Sequence, residues 1–454
     1  MDMIIRNGRV VSHQETFVGD IGVEDGRISA ISRGGIDADA SSVIDGTGKL
    51  VFPGAIDCHV HLNDPGFEWR EDFQYGTAAA AAGGVTTVVD MPLQNSPAVT
   101  TEEILRRKRR AVEGKAIVDY AFFGGLVDCN LDALEGLRNA GVVGLKAFMG
   151  PVSPDYSTID VELARRALER TGPWGLVVAF HCEDYRTIKE CERRLMQEGR
   201  KDWRAYLESR PLAAEMTSVR DIIGLAEETG ARVHICHVSH PDVAEEIKQA
   251  RARGVKVTCE TCMHYLVFDE EDVTSKGALF KCAPPLREVG ASARLWDYVS
   301  DGTIQCVASD HSPCAPEEKL DPVRDVWEAW GGISGIQTSF QVLYHEAVNR
   351  RGIDPVCLAK VLSHGPARAF SLPSRKGALQ VGADADLVVL DPARTWEITR
   401  DSLKYKNRLS AFVGLTGQGT IERTYSRGKL VYENGSVVGM NGGGRFVQRA
   451  AIVR

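Results

Sequence analysis

The chain has 454 residues, 43% hydrophobic and 26% charged, with a formal net charge of −8. It is too long for one small core, and its acidic balance argues against nucleic acid or an anionic membrane as partners. The start, Met1-Asp2-Met3-Ile4-Ile5-Arg6, is not a signal peptide, and no apolar run is long enough to suggest a membrane span. Eleven cysteines, mostly inside apolar runs, fit a reducing cytoplasm better than a disulfide framework.

Residues 1–50 alternate apolar and polar residues in MIIRNGRVV, DIGVEDGRISAIS and SVIDGTGKLV, punctuated by Asn-Gly, Asp-Gly and Gly-Thr-Gly. The same texture returns in 376–392 and 420–438. One small β-sandwich built from both ends, 1–50 and 373–454, is the expectation. Between them, over 51–372, strands alternate with amphipathic helices. The candidate strands are 51–61, 84–91, 116–127, 141–149, 175–182, 231–238, 255–267 and 303–310. Helical stretches such as VELARRALER and PDVAEEIKQARARG fill the gaps, and the basic run Arg106 to Arg110 reads as the solvated face of another helix. Eight near-continuous apolar strands separated by helices predict the α/β class and a (β/α)8 TIM barrel. A doubly wound sheet is the alternative, but no G-x-G-x-x-G opens any of these helices.

The first of these strands ends in VFPGAIDCHVHLNDPG (51–66). On a strand, side chains alternate faces, so His59 and His61 share one face and can converge on a borderline metal such as zinc. Further candidates sit in or after other apolar runs: Lys146, His181, His237 and Asp310. In a barrel, the C-terminal strand ends surround one site, so the topology gathers these residues together. A lysine in an apolar strand is costly unless paired, neutral or modified. A neutral amine can react with CO2 to form a carbamate, a carboxylate on a long arm able to bridge two cations. Two such cations, about 3.5–4 Å apart, could share a hydroxide and polarise a substrate carbonyl. Asp310 then serves as proton shuttle. No G-x-S-x-G elbow competes. Cys259-Glu260-Thr261-Cys262 has no second pair to complete a four-cysteine site and reads as strand residues.

The D-x-H-x-H motif, the lysine of GLKAFMG, the later His and Asp strand ends and the two β-rich termini together resemble the cyclic amidohydrolases of the amidohydrolase superfamily. Within that family, DMPLQNSPA, CETCMHYLVFD, KCAPPLRE, SDHSPCAPEEK and AWGGISGIQ are similar to its allantoin-hydrolysing branch. The resemblance implies two divalent cations, zinc foremost, with cobalt, manganese or iron as alternatives. His59, His61 and Asp310 would hold one, His181 and His237 the other, with carboxylated Lys146 as the bridge. It implies opening of a cyclic ureide, (S)-allantoin to allantoate, by a homotetramer; other hydantoins or dihydropyrimidines are the runner-up. A non-catalytic relative is disfavoured because all six ligand positions are filled. By the same resemblance, the backbone at Cys282-Ala283 and Gly332-Ile333 contacts the ring amides. Dihydroorotases place an arginine for the substrate carboxylate where this chain has Asn63. Hydantoinases use a tyrosine for the oxyanion, and whether Tyr156 takes that role is open at this level. His240, His264 and His311 read as orienting or core residues.

Overall fold

A computed structural model of the chain describes residues 1–321 and 325–450. Eight parallel strands pair in chain order: Ala55–Val60, Val85–Asp90, Asp119–Gly125, Gly144–Phe148, Val177–His181, Val233–Ile235, Val257–Cys262 and Cys306–Ala308. Nearly every residue in them is buried, as expected where helices cover the outside and side chains fill the inside. The first and last strands meet where the His61 N–H donates to the His311 carbonyl at 2.8 Å. The Asp57 carboxylate accepts the Ser309 N–H at 3.2 Å across the same seam. The barrel is thus nearly closed, and its last seam runs beside the candidate ligands.

The surrounding helices begin where the sequence supplies oxygen acceptors. Asp160 and Asp184 accept the N–H groups of Leu163 and Thr187 at 2.8 Å, capping helices Val161–Thr171 and Tyr185–Gln197. Thr101 caps Glu102–Val112, the helix carrying the basic run. That run is not wholly a solvated face. Lys108 is buried and bonds to Asp90 and to Asn95 Oδ1, the latter at 2.6 Å.

Two of the sequence-derived strands divide. The stretch 51–61 breaks at Gly54, where an added Cβ would lie 2.2 Å from Thr86 Oγ1. The preceding Leu50–Pro53 joins the terminal sheet and only Ala55–Val60 enters the barrel. The stretch 255–267 is strand Val257–Cys262 followed by helix Met263–Val267.

The termini build one nine-stranded sheet. Leu387–Glu397 lies antiparallel to Leu50–Pro53, which lies parallel to Met3–Val11, so neither end completes the sheet alone. Ile5, Ile21, Val23, Val51, Leu387, Val389 and Tyr425 form its own apolar core. A buried ion cluster ties this sheet to the barrel. Lys376 Nζ lies 2.6 Å from Asp119, 2.8 Å from Asp386 and 3.0 Å from Asp384, while Arg427 reaches Asp119 at 3.1 Å. Removing the cation strands buried carboxylates. Lys376→Met is expected to cost about 3–5 kcal/mol of stability, measured by urea unfolding; a loss under about 1 kcal/mol would show that the cluster does not hold the two sheets together.

Candidate metal centre

The strand ends bring four imidazoles into a row. Ring centroids are 5.5 Å apart for His61 and His59, 5.5 Å for His59 and His237, and 4.7 Å for His237 and His181. His59 lies in the first strand and His61 just beyond it; His181 ends the fifth strand. His237 and Asp310 each follow their strand by two residues and adopt left-handed backbone, with φ of 38° and 44°. Such conformations are costly for residues other than glycine and persist where surrounding structure fixes them, often at functional sites. Asp310 Oδ1 is 3.4 Å from Nε2 of both His59 and His61, and the three ligand atoms lie within 4.8 Å of one another. On the other side, His181 Nδ1 and His237 Nε2 face each other at 3.1 Å.

Lys146 is buried in the fourth strand, level with Ala179 of the fifth. Its Nζ has no hydrogen-bond partner and lies 4.9 Å from the centre of the Phe148 ring. Its charge bears on His59, His181 and His237 together, which places the amine among them. Burial, Lys146 and the neighbouring imidazoles hold His237 well below the usual histidine range, leaving its ring neutral and able to donate a lone pair. Burial pushes Asp310 up, but His59 and His61 outweigh it and bring its carboxyl down to about 2. His61 and His181 are likewise lowered by burial. Burial opposes charge on His59 too, but Asp310 and Glu260 outweigh it and raise that ring to about 10. An ionised carboxylate, three rings held neutral, a fourth facing two carboxylates and an unpartnered amine give nitrogen and oxygen donors that suit divalent cations and a lysine open to CO2.

Carboxylates behind the ligands aim them. Glu260, buried in the seventh strand, accepts from His59 Nδ1, and it also engages His234 Nε2 at 3.2 Å and Cys58 Sγ at 3.2 Å. His59, Cys236 and Glu260 also group within 4.8 Å, but these bonds commit Glu260 to orienting rings. Glu183 holds His181 Nε2 at 2.8 Å and is itself held by buried Arg210. Burial raises Glu183, but Arg210 and His181 prevail and bring it down to about 2. The sequence reading missed Glu260, Glu183 and Arg210. The signal that marked Lys146, a charge within an apolar strand, also marks Glu260 inside VTCETC.

The other sequence candidates lie close to this centre, partly committed to the fold. Asn63 is fully buried with φ of 56°; its Nδ2 donates to the His61 carbonyl at 2.9 Å, and its Oδ1 is unpartnered. The Cys282 carbonyl accepts from Tyr206 at 2.7 Å, next to Ala283 and its turn. The Gly332 carbonyl accepts from buried Lys319, and that of Ile333 from the Ser312 N–H at 3.1 Å. Tyr156 donates to the Lys146 carbonyl at 2.7 Å, so its hydroxyl fixes that strand instead of standing free for an oxyanion. Arg70 is clasped by Glu318, and Arg287 by Glu215 at 2.7 Å and Ser239 at 2.8 Å.

The Amidohydrolase family model matches residues 50–431. An allantoinase of Escherichia coli O1:K1 / APEC is 37% identical over 437 residues, 95% of each chain. The L-hydantoinase (dihydropyrimidinase) of Arthrobacter aurescens superposes with a TM-score of 0.96 at 33% identity, covering 99% of this chain and all of that one. A dihydropyrimidinase of Brevibacillus agri NCHU1002 gives 0.93 at 31% identity over the full length of both.

Glu260→Gln keeps shape but cannot accept from His59 and His234 as a carboxylate does. Metal affinity is expected to fall about 10–100-fold with the fold intact, measured by metal titration with circular dichroism alongside. Unchanged affinity would remove Glu260 from the ligand-orienting network.

Proposed function

The chain belongs to the amidohydrolase family, and from that premise we propose that it hydrolyses a cyclic ureide, allantoin to allantoate. Lys146, as its carbamate, would bridge two divalent cations, with His59, His61 and Asp310 on one and His181 and His237 on the other. When bound, such cations acidify water and polarise a carbonyl. The observation that carries the reading is a buried lysine amine without a partner beside two facing imidazoles.

The remaining chemistry belongs to the chain's own groups. Asp310, ionised and 3.4 Å from both His59 and His61 nitrogens, takes a proton from the attacking water. It delivers that proton to the departing ring nitrogen as the carbonyl carbon gains oxygen and the C–N bond breaks. Glu260 and Glu183 keep the rings from turning while charge moves. The backbone at Cys282-Ala283 and Gly332-Ile333 borders the ring, and Asn63 offers an uncharged amide. Zinc, a cytoplasmic setting and a homotetramer complete the proposal. All eleven cysteines are free, which fits a reducing compartment, and no helix among the described residues is long and apolar enough to cross a membrane.

Allantoin is favoured over a carboxylated ring because the cations that could receive a carboxylate are engaged. Asn63 has no charge, Arg70 is held by Glu318 and Arg287 by Glu215. Opening of other hydantoins or dihydropyrimidines is the second reading, supported by the likeness to the Arthrobacter and Brevibacillus enzymes.

Asp310→Asn is expected to lower kcat by at least about 10²–10⁴-fold, followed by allantoin hydrolysis in metal-loaded protein; a drop under tenfold would assign proton transfer to another group. Wild-type kcat/KM for allantoin is expected to exceed that for dihydroorotate by more than about 100-fold, since a buried carboxylate without a partner costs several kcal/mol. A preference for dihydroorotate would overturn the substrate assignment and leave the metal centre standing.

A further inference from the structure

Helix Met263–Val267 begins at the C-terminal end of the seventh barrel strand, whose neighbour leads into Asp310. It carries His264, 1% exposed, and neither Nδ1 nor Nε2 of that ring has a partner. Among the described histidines it alone has two buried, unpartnered ring nitrogens. Buried polar atoms are almost always bonded, so two orphans on one ring point to a ligand that supplies their partners.

The surroundings locate that ligand. Glu260 of strand seven bonds His59 and strand eight leads into Asp310, so the helix that continues strand seven stands at the rim of the metal centre. The charges of Asp310, His59 and Lys319 bear on the His264 ring. It is not itself in the ligand groups around His59. Tyr265, 4.3 Å away ring to ring, donates to the Pro284 carbonyl at 2.6 Å and ties this helix to the turn bearing Cys282 and Ala283. Two cations on this side are spoken for: Lys319 donates to the carbonyls of Gly332 and Lys281, and Arg287 is locked to Glu215. Burial, with His59 and Lys319 acting the same way against Asp310, holds the His264 ring down to about 4. It is neutral near pH 7, with one N–H to donate and one lone pair to accept.

We propose that His264 is a substrate-binding residue that hydrogen-bonds a neutral, amide-bearing arm on the substrate ring, the ureido arm of a substituted hydantoin. The arm presents a carbonyl acceptor and N–H donors, the complement of a neutral imidazole. The inference rests on the cyclic-ureide reading above and adds the residue that selects the arm.

The test compares kcat/KM for allantoin and for unsubstituted hydantoin, which lacks the arm, in the wild type, His264→Phe and His264→Gln, with metal content measured for each. His264→Phe is expected to lower the allantoin value by about 10–100-fold while the hydantoin value and metal content stay within about threefold. His264→Gln, which keeps one donor and one acceptor, recovers part of the loss. Equal losses on both substrates, or none on either, overturn the assignment. If His264→Phe loses its metal or fold, His264→Gln decides alone: an allantoin-to-hydantoin ratio unchanged from wild type overturns the proposal. A wild type that opens hydantoin but not allantoin overturns the substrate reading, and His264 with it, before any substitution is made.

Discussion

A lysine amine with no exposure and no hydrogen-bond partner, set among imidazoles, is the constraint on which the rest of this structure depends. An ammonium buried this way, beside rings that its own charge disfavours from protonating, is an unfavourable arrangement unless its chemistry changes. Loss of a proton frees the amine lone pair, and its attack on CO2 forms an Nζ–C bond and releases a second proton, turning a lone cation into an anion. The same neighbours that oppose an ammonium then suit a carbamate and the cations it would bridge. Lys146 is held for this by the strand: Tyr156 fixes its carbonyl, and Phe148 stacks on His181 at 5.0 Å.

Around that point the barrel invests its buried carboxylates in orientation. Glu260 serves the first strand's His59 from the seventh strand, Glu183 serves His181, and Arg210 and Arg287 anchor Glu183 and Glu215 in turn. Glu260 and Glu183 each fix a ligand ring against rotation, and breaking any of these pairs would leave an uncompensated charge in the interior. The ion cluster at Lys376 applies the same principle away from the site, locking the terminal sheet against the third strand.

Much of the fold was legible because its signals are periodic. Apolar strands alternating with amphipathic helices point to the barrel, and turn-punctuated termini point to the second sheet. The strand boundaries were less so. The first candidate strand divides at Gly54, where a side chain would have no room beside Thr86, and Met263–Val267 turns helical after a strand of similar composition; neither leaves a mark in hydrophobicity. The imidazoles and Asp310 were legible as polar residues after apolar runs. Glu260 carries the same kind of signal as Lys146, but the flanking cysteines overlay it with a metal-like spacing of their own. Arg210 and Glu183 were illegible for a different reason: their pairing joins the loop after the fifth strand to the residue that follows helix Trp203–Ser209, 27 residues apart, and no local pattern encodes it.

The central claim is that Lys146 works as a carbamate bridging two cations. Carbon-13 NMR of metal-loaded protein equilibrated with ¹³C-bicarbonate tests it most directly, with Lys146→Ala and metal content measured beside it. The account predicts a carbamate resonance and about two cations per chain in the native protein, and no resonance with one cation or none in the variant. A native protein fully loaded with metal and lacking the resonance, or a variant that keeps both cations, would contradict it.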